Sequence, residues 1–262
     1  MEVKISVVCP TYNSEKFVEE TLLCVFRQTR LPDELILIDD GSDDETVQVL
    51  KNVTFHYRER VKCIIIENKH RGPGAARNEG IKVATGDWIA FLDSDDIWYP
   101  KKLAEVEKSV IRDKGINFIC HSEISRSLNG KPKRLDYHQK YDPLNPLPQQ
   151  LFHANLFSTS AVMCKRDLLV DGGGFDEYLM SAQDYELWLR LSPTIDVFFL
   201  NECLGEYIHG SDNISSGNLK KRFKNELKIA SKHRQLVNKS RFVFRIIRIL
   251  MSFFLQLVRT VK

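Results

Sequence analysis

An α/β fold with a mostly parallel, Rossmann-like sheet flanked by helices is the class this 262-residue chain predicts. Two observations predict it. Apolar runs alternate with helical patterns through the first third, which reads as successive βαβ units. Four of those runs end in polar clusters, and in a parallel sheet the carboxyl ends of the strands share one edge, where ligands bind.

The elements follow in order. Ile5–Cys9 is a strand, followed by a helix from about Ser14 to Gln28, with Ser14 as its N-cap. Leu35–Ile38 is a second strand, and Ser42 or Asp43 caps a helix to about Leu50. Val61–Ile66, rich in β-branched residues, is a third. Gly72-Pro73-Gly74 turns the chain into a helix that runs to about Ala84, with proline suited to the first helical turn. Trp88–Leu92 is the fourth strand and Ile116–Cys120 another. Asn129-Gly130 and the prolines up to 149 read as a hairpin turn and loop. Val197–Leu200 and Cys203–Ile208 are late strands. Residues 1–216 are thus expected to form one α/β domain, with 217–262 as a helical extension.

A hydrophobic content of 43% implies a packed core and excludes global disorder. The six cysteines are scattered, with no C-x-x-C pair, which favours reduced core thiols over a disulfide frame or zinc site. With Met1-Glu2-Val3-Lys4 leading straight into a strand pattern, a signal peptide is not expected, and the expected location is cytoplasmic. The net charge of +3 hides an asymmetry. Residues 217–262 carry 13 Lys and Arg against Glu226 alone, a net of +12, and the remainder is −9. Such a split points to an anionic partner.

The densest chemistry is Phe91-Leu92-Asp93-Ser94-Asp95-Asp96, three carboxylates leaving a buried strand. Clustered carboxylates at a sheet rim suit Mn²⁺ or Mg²⁺ shared with a substrate phosphate. A solvated, helix-capping turn is the plain alternative. The other three strand-end clusters are Thr11-Tyr12-Asn13, Asp39-Asp40-Gly41-Ser42, and Asn68-Lys69 leading to Arg77-Asn78. Together they offer a ring to stack on a base, carboxylates to bond a ribose, and a cation for a diphosphate. No GxGxxG or GxxxxGK[ST] is present, which argues against a dinucleotide oxidoreductase or a P-loop NTPase.

These segments, with Gly74-Ala75-Ala76-Arg77-Asn78-Glu79-Gly80, Gly174-Phe175-Asp176-Glu177 and Gln183-Asp184-Tyr185-Glu186-Leu187-Trp188, resemble family 2 glycosyltransferases of the GT-A fold over about residues 3–215. The resemblance implies an inverting transfer from a nucleotide-diphosphate sugar, most simply a UDP-sugar. It implies that Pro10, Tyr12, Asn13 and Asp40 hold the nucleoside, and that Arg77 lies near the base and diphosphate. Asp93 and Ser94 would face ribose or sugar, Asp95 would ligate the metal, and Asp184 would be the catalytic base. The family often has Glu where this chain has Gln183. His209 is a further candidate metal ligand, since a histidine at a strand end could complete a site with Asp95. Ser158-Thr159-Ser160 and Gly172-Gly173-Gly174 read as loops over donor sugar and acceptor.

In residues 241–262 the polar positions 241, 245, 248, 252, 256 and 259 form one narrow helical stripe with bulky apolar residues around the rest. The longest charge-free run there, Ile249 to Val258, is too short to span a bilayer. This fits an in-plane anchor on an anionic membrane surface, the inner face of the cell membrane. Packing against the domain, or a homodimer through the wide apolar face, is the alternative, and nucleic acid is not an expected partner. A glycan or polyprenyl- or lipid-linked acceptor, in surface polysaccharide or glycolipid assembly, fits such a tail. Two competing functions are a nucleotidyltransferase, which would release pyrophosphate from a triphosphate, and a catalytically silent sugar-nucleotide-binding protein, for which Gln183 is the one hint.

Overall fold

The computed structural model describes residues 3–127, 130–209 and 219–260. Its strands are β1 (Ile5–Thr11), β2 (Glu34–Asp39), β3 (Lys62–Glu67), β4 (Trp88–Phe91), β5 (Ile97–Trp98), β6 (Phe118–Ser127), β7 (Lys133–Leu135), β8 (Val162–Lys165) and β9 (Val197–His209). The helices are α1 (Val18–Phe26), α2 (Thr46–Tyr57), α3 (Pro73–Val83), α4 (Lys102–Arg112), α5 (Leu147–His153), α6 (Arg166–Asp171), α7 (Gln183–Leu191), α8 (Leu219–Lys232) and α9 (Lys239–Thr260).

The sheet runs β3-β2-β1-β4-β8-β6-β9-β5, with β7 on the edge of β6. β3, β2, β1 and β4 are parallel, as the βαβ reading requires. Beyond β4 the sheet becomes mixed: β8 lies antiparallel to both neighbours, and β9 is parallel to β6 but antiparallel to β5. The two late strands expected from sequence are one strand, β9. Its register against β6 slips around His121 and Ser122, so Asn201 and Glu202 bulge out without ending the pairing.

The period of two along the strands divides the core. Val8, Ile36, Ile38, Ile89 and Phe91 face one side, with α3, α5 and α7. Val7, Cys9, Leu35, Leu37 and Ala90 face the other, with α1, α2 and α4. The six cysteines are free thiols.

Several boundaries differ from expectation, among them that of β6, which runs on past Cys120 to Ser127. α1 starts at Val18, because the Ser14 side chain turns to Ser94 (2.8 Å) and only its carbonyl accepts from Val18. α2 starts at Thr46, where the Asp44 carboxylate accepts from the backbone N–H (3.0 Å), and it continues past Leu50 to Tyr57 because Leu50 and Val53 both bury against the sheet. β8 was not anticipated.

The expected boundary at 216/217 lies outside the described residues, as do Asn129 of the hairpin turn and the last two residues of the tail. α8 and α9 join the α3/α7 side of the core through Ile229, Ala230 and Ile249. A buried hub fastens them. Glu186 on α7 accepts from Lys232 (2.8 Å) and His233 (2.9 Å) at the end of α8 and pairs with Arg190 (3.2 Å).

Only part of the polar stripe of α9 faces inward, since Arg241 is exposed. Arg245 is buried and Ser252 lines a cleft, whereas Phe244, Ile247, Met251, Phe254 and Leu255 point outward. No described helix is long and apolar enough to cross a membrane.

Candidate active site at the sheet rim

The strand order reverses between β1 and β4, and the rim crevice at such a switch point is a natural ligand site. Pro10 is buried in β1 opposite Ile38, one residue short of the rim. Tyr12, just beyond β1, is half exposed and packs on His70, with ring centroids 4.3 Å apart. His70 was not singled out in the sequence, since it sits in a loop and meets Tyr12 only through the fold. Asn13 takes a left-handed backbone (φ 47°), and its side-chain oxygen accepts from the Asp43 N–H at 3.0 Å, so it ties two rim loops together.

The two aspartates ending β2 do different work. Asp39 accepts from the backbone of Gly41 (3.1 Å) and Ser42 (2.9 Å), closing the turn. Gly41 is required there: its φ is +79°, and a Cβ would stand 2.8 Å from the His70 nitrogen. Asp40 accepts from the N–H groups of Arg71 and Gly72, both at 2.8 Å, and meets His70 Nδ1 at 2.9 Å. Its carboxylate therefore fixes the loop entering α3 and the ring under Tyr12.

Arg77, on α3, is buried and pairs with Asp93, while its Nε and Nη1 have no protein partner. A buried guanidinium with open donors is costly unless an anion supplies acceptors. Ser94 serves the scaffold, with its hydroxyl on Ser14 and its carbonyl accepting from Thr21 (2.9 Å).

Asp95 is half-buried. Burial and the Asp93 charge push its carboxyl up to about 6, against the opposing pull of Arg77, as expected of buried acids that crowd one another. Asp96 is fully buried and accepts from the Ile208 N–H (2.9 Å) and the Ser160 hydroxyl (2.5 Å). Ser160 in turn accepts from the Asp93 N–H at 3.0 Å, so it braces the acidic turn from both ends. Ser160 was read from sequence only as part of a loop.

Asp184 is the second residue of α7, after Ala182, which takes a left-handed φ of 59°. Such strain in a non-glycine residue aims the residues that follow it. Thr159 and Asn155 reach toward its carboxylate at 3.5 and 3.4 Å. Burial raises its carboxyl above the ordinary range, against the pull of the Tyr185 N–H and Arg77, and Asp93 pushes it further up. The fold thus brings Asp184 within the field of Arg77 and Asp93, which lie about 107 and 91 residues earlier. The side-chain oxygen of Gln183 is buried without a partner.

His209 ends β9, exposed, with Nε2 on the Ser125 hydroxyl at 2.7 Å. No three His, Cys, Asp or Glu side chains among the described residues converge as a cage. The donors at the rim are nevertheless oxygens of Asp93 and Asp95. Mg²⁺-type sites commonly use one or two carboxylates and take their remaining ligands from water and substrate phosphate, so the residues present fit a divalent cation.

The family model for glycosyl transferase family 2 matches residues 6–170. The putative teichuronic acid biosynthesis glycosyltransferase TuaG of Bacillus subtilis is 28% identical over 221 residues, 82% of this chain and 83% of that protein. S. aureus TarS in complex with UDP-GlcNAc superposes with a TM-score of 0.71 at 20% identity, over 94% of this chain and 71% of that chain. The mannosyltransferase PcManGT from Pyrobaculum calidifontis, in complex with GDP-Man and Mn²⁺, superposes with a TM-score of 0.70 at 18% identity, over 97% and 70%. The fold shared with these two structures is the GT-A sheet. With the family match running from β1 through α6, the chain belongs to glycosyl transferase family 2.

Proposed function

We propose that this glycosyltransferase moves a sugar, with inversion, from a nucleotide-diphosphate donor to a glycan or lipid-linked acceptor in surface polysaccharide or glycolipid assembly. The observation that carries this reading is that two adjacent residues, Thr159 and Ser160, reach the Asp184 carboxylate (3.5 Å) and the Asp93 N–H (3.0 Å), which sets the base candidate beside the acidic turn. UDP is the preferred nucleotide, in line with the UDP-GlcNAc bound by TarS, and a polysaccharide acceptor accords with the name of TuaG.

The acceptor oxygen attacks the anomeric carbon while the bond from that carbon to the diphosphate oxygen breaks on the opposite face. Asp184 takes the acceptor proton. Its raised carboxyl suits a general base, which works best with a pKa near the operating pH. Tyr12 and His70 form the platform for the base, with Asp40 holding His70 and Pro10 and Asn13 shaping the loop. Arg77 directs its open Nε and Nη1 to the diphosphate, and Asp93 and Ser94 border the ribose and sugar. Asp95, with Asp93 beside it and His209 as a further ligand, would hold Mn²⁺ or Mg²⁺. When bound, that cation offsets charge on the departing diphosphate.

The outward apolar face of α9, with Lys220 and Lys221 leading α8, would lie in the surface of an anionic membrane, placing the enzyme peripherally on its inner face.

The test is nucleotide release from UDP-, GDP- and dTDP-sugars with Mn²⁺, repeated with membrane extract as acceptor source. Release from one donor that is lost in Asp95→Ala and reduced about 10²–10⁴-fold in Asp184→Asn is expected. Activity should fall on acidification, and at a higher pH than an ordinary aspartate would dictate, because the base must be ionised. Asp184→Asn retaining full activity would remove the base assignment.

A further inference from the structure

A cleft of about 480 Å³ opens beside Asp184. Its lining includes Asp184 and Asn155 and, as a cationic group, Arg222 of α8 with Arg245 and Arg248 of α9. None of Arg77, Asp93 or Asp95 borders it. In an in-line displacement the base and the leaving diphosphate stand on opposite faces of the sugar, so a cleft that shares Asp184 but not the donor groups lies on the acceptor side. That assignment rests on Asp184 being the base.

We propose that this cleft is the acceptor site and that it takes an acceptor carrying a phosphate or diphosphate near its reacting hydroxyl. The arginine group is built for an anion. Arg245 is only 7% exposed, yet its Nε has no protein partner. Its Nη1 donates to the His153 carbonyl (2.9 Å), and its nearest acid, Glu226, is 3.5 Å away. Its guanidinium stands 5.8 Å from the ring of Tyr185, the residue after Asp184, which ties the cationic group to the base. Arg248 crowds the same place, bonding His153 Nε2 at 2.7 Å. Burial and the Arg245 charge lower the Arg248 pKa, and burial, Arg248, Arg245 and Arg241 lower that of His153. Planar guanidiniums gathered around one acid suit bidentate recognition of phosphate. Ser252, exposed and next in sequence to the outward Met251, also lines the cleft, so a lipid tail on that phosphate would have the outward apolar face of α9 within reach.

The test titrates the full chain, with UDP saturating the donor site, with dodecyl phosphate in neutral detergent micelles and separately with inorganic phosphate. Dodecyl phosphate is expected to bind, with affinity at least tenfold weaker in Arg222→Gln and in Arg245→Gln/Arg248→Gln. Arg245 also supports the His153 carbonyl, so Arg222→Gln, on the other helix, decides where the double variant melts early. Much tighter binding of dodecyl phosphate than of inorganic phosphate indicates a lipid-linked acceptor; equal affinities indicate a phosphate-bearing glycan. No phosphate binding, or binding that ignores the arginines, overturns the proposal. Asp184→Asn removes a negative charge and should keep or tighten anion binding, so failure of the base assignment and failure of the arginine site read out separately.

Discussion

The sheet rim and the helices α7, α8 and α9 are assembled by different means. At the rim, side chains meet because successive parallel strands end at one edge: Asp39 lies in register with Thr11, and Asp93 follows β4 beside β1. Around α7, α8 and α9, positions are set by links far apart in sequence, such as Glu186 to His233 and Arg245 to the His153 carbonyl. The rim is made by topology and the helical region by buried polar contacts. The first should tolerate loss of a single side chain better than the second.

The sharpest way to break that contrast is Glu186→Gln. Although burial pushes the Glu186 carboxyl up, hydrogen bonds from His233, Arg190 and Lys232 bring it down to about 2. Removing one partner of a buried ionic group costs roughly 3–5 kcal/mol, so a large fall in melting temperature and release of α8 and α9 to proteolysis are expected. The sign with pH follows from the depressed value. The contribution, about 3 kcal/mol, is present above the ordinary 4.5 and lost as pH falls toward 2. A wild-type stability flat over that window, after subtraction of the variant's curve, would show that the hub contributes nothing.

Ser160→Ala is the matching change at the rim. It leaves the Asp93 N–H and the buried Asp96 carboxylate each short of one partner, at a cost of roughly 1–3 kcal/mol. If it equals Glu186→Gln in effect, the two regions are not different in kind. The smallest change in stability, within about 0.5 kcal/mol, is expected of Phe254→Ser/Leu255→Ser on the outward face of α9. Those substitutions should still abolish sedimentation with anionic vesicles; retained sedimentation would rule out the apolar face as the anchor.

The same contrast governs what could be read from sequence. Strands β1 to β4 and their acidic ends were legible because each is a local signal, an apolar run followed by polar residues. β8 was not: Val162–Lys165 is short, and its place between β4 and β6 is fixed only by tertiary pairing. His70 and Ser160 escaped because neither residue type marks its own role, and only the fold brings them to Tyr12 and the acidic turn. The amphipathicity of α9 was plain, but its orientation was not. Arg245 of the polar stripe turns inward, because it meets a carbonyl at the end of α5 and the neighbouring Ile249 joins the core.

If the outward face of α9 rests in lipid as proposed, that orientation makes α9 a spacer. An α-helix with its side chains is about 10–12 Å across, so with its outer face in lipid the cleft on its inner face lies about that far above the acyl chains. A hydroxyl on the first sugars of a lipid-borne stem reaches Asp184 at that height without bending. One at the tip of a long polymer must loop back. The thickness of a single helix would then bias the enzyme toward early additions, on short stems, over extension of finished chains.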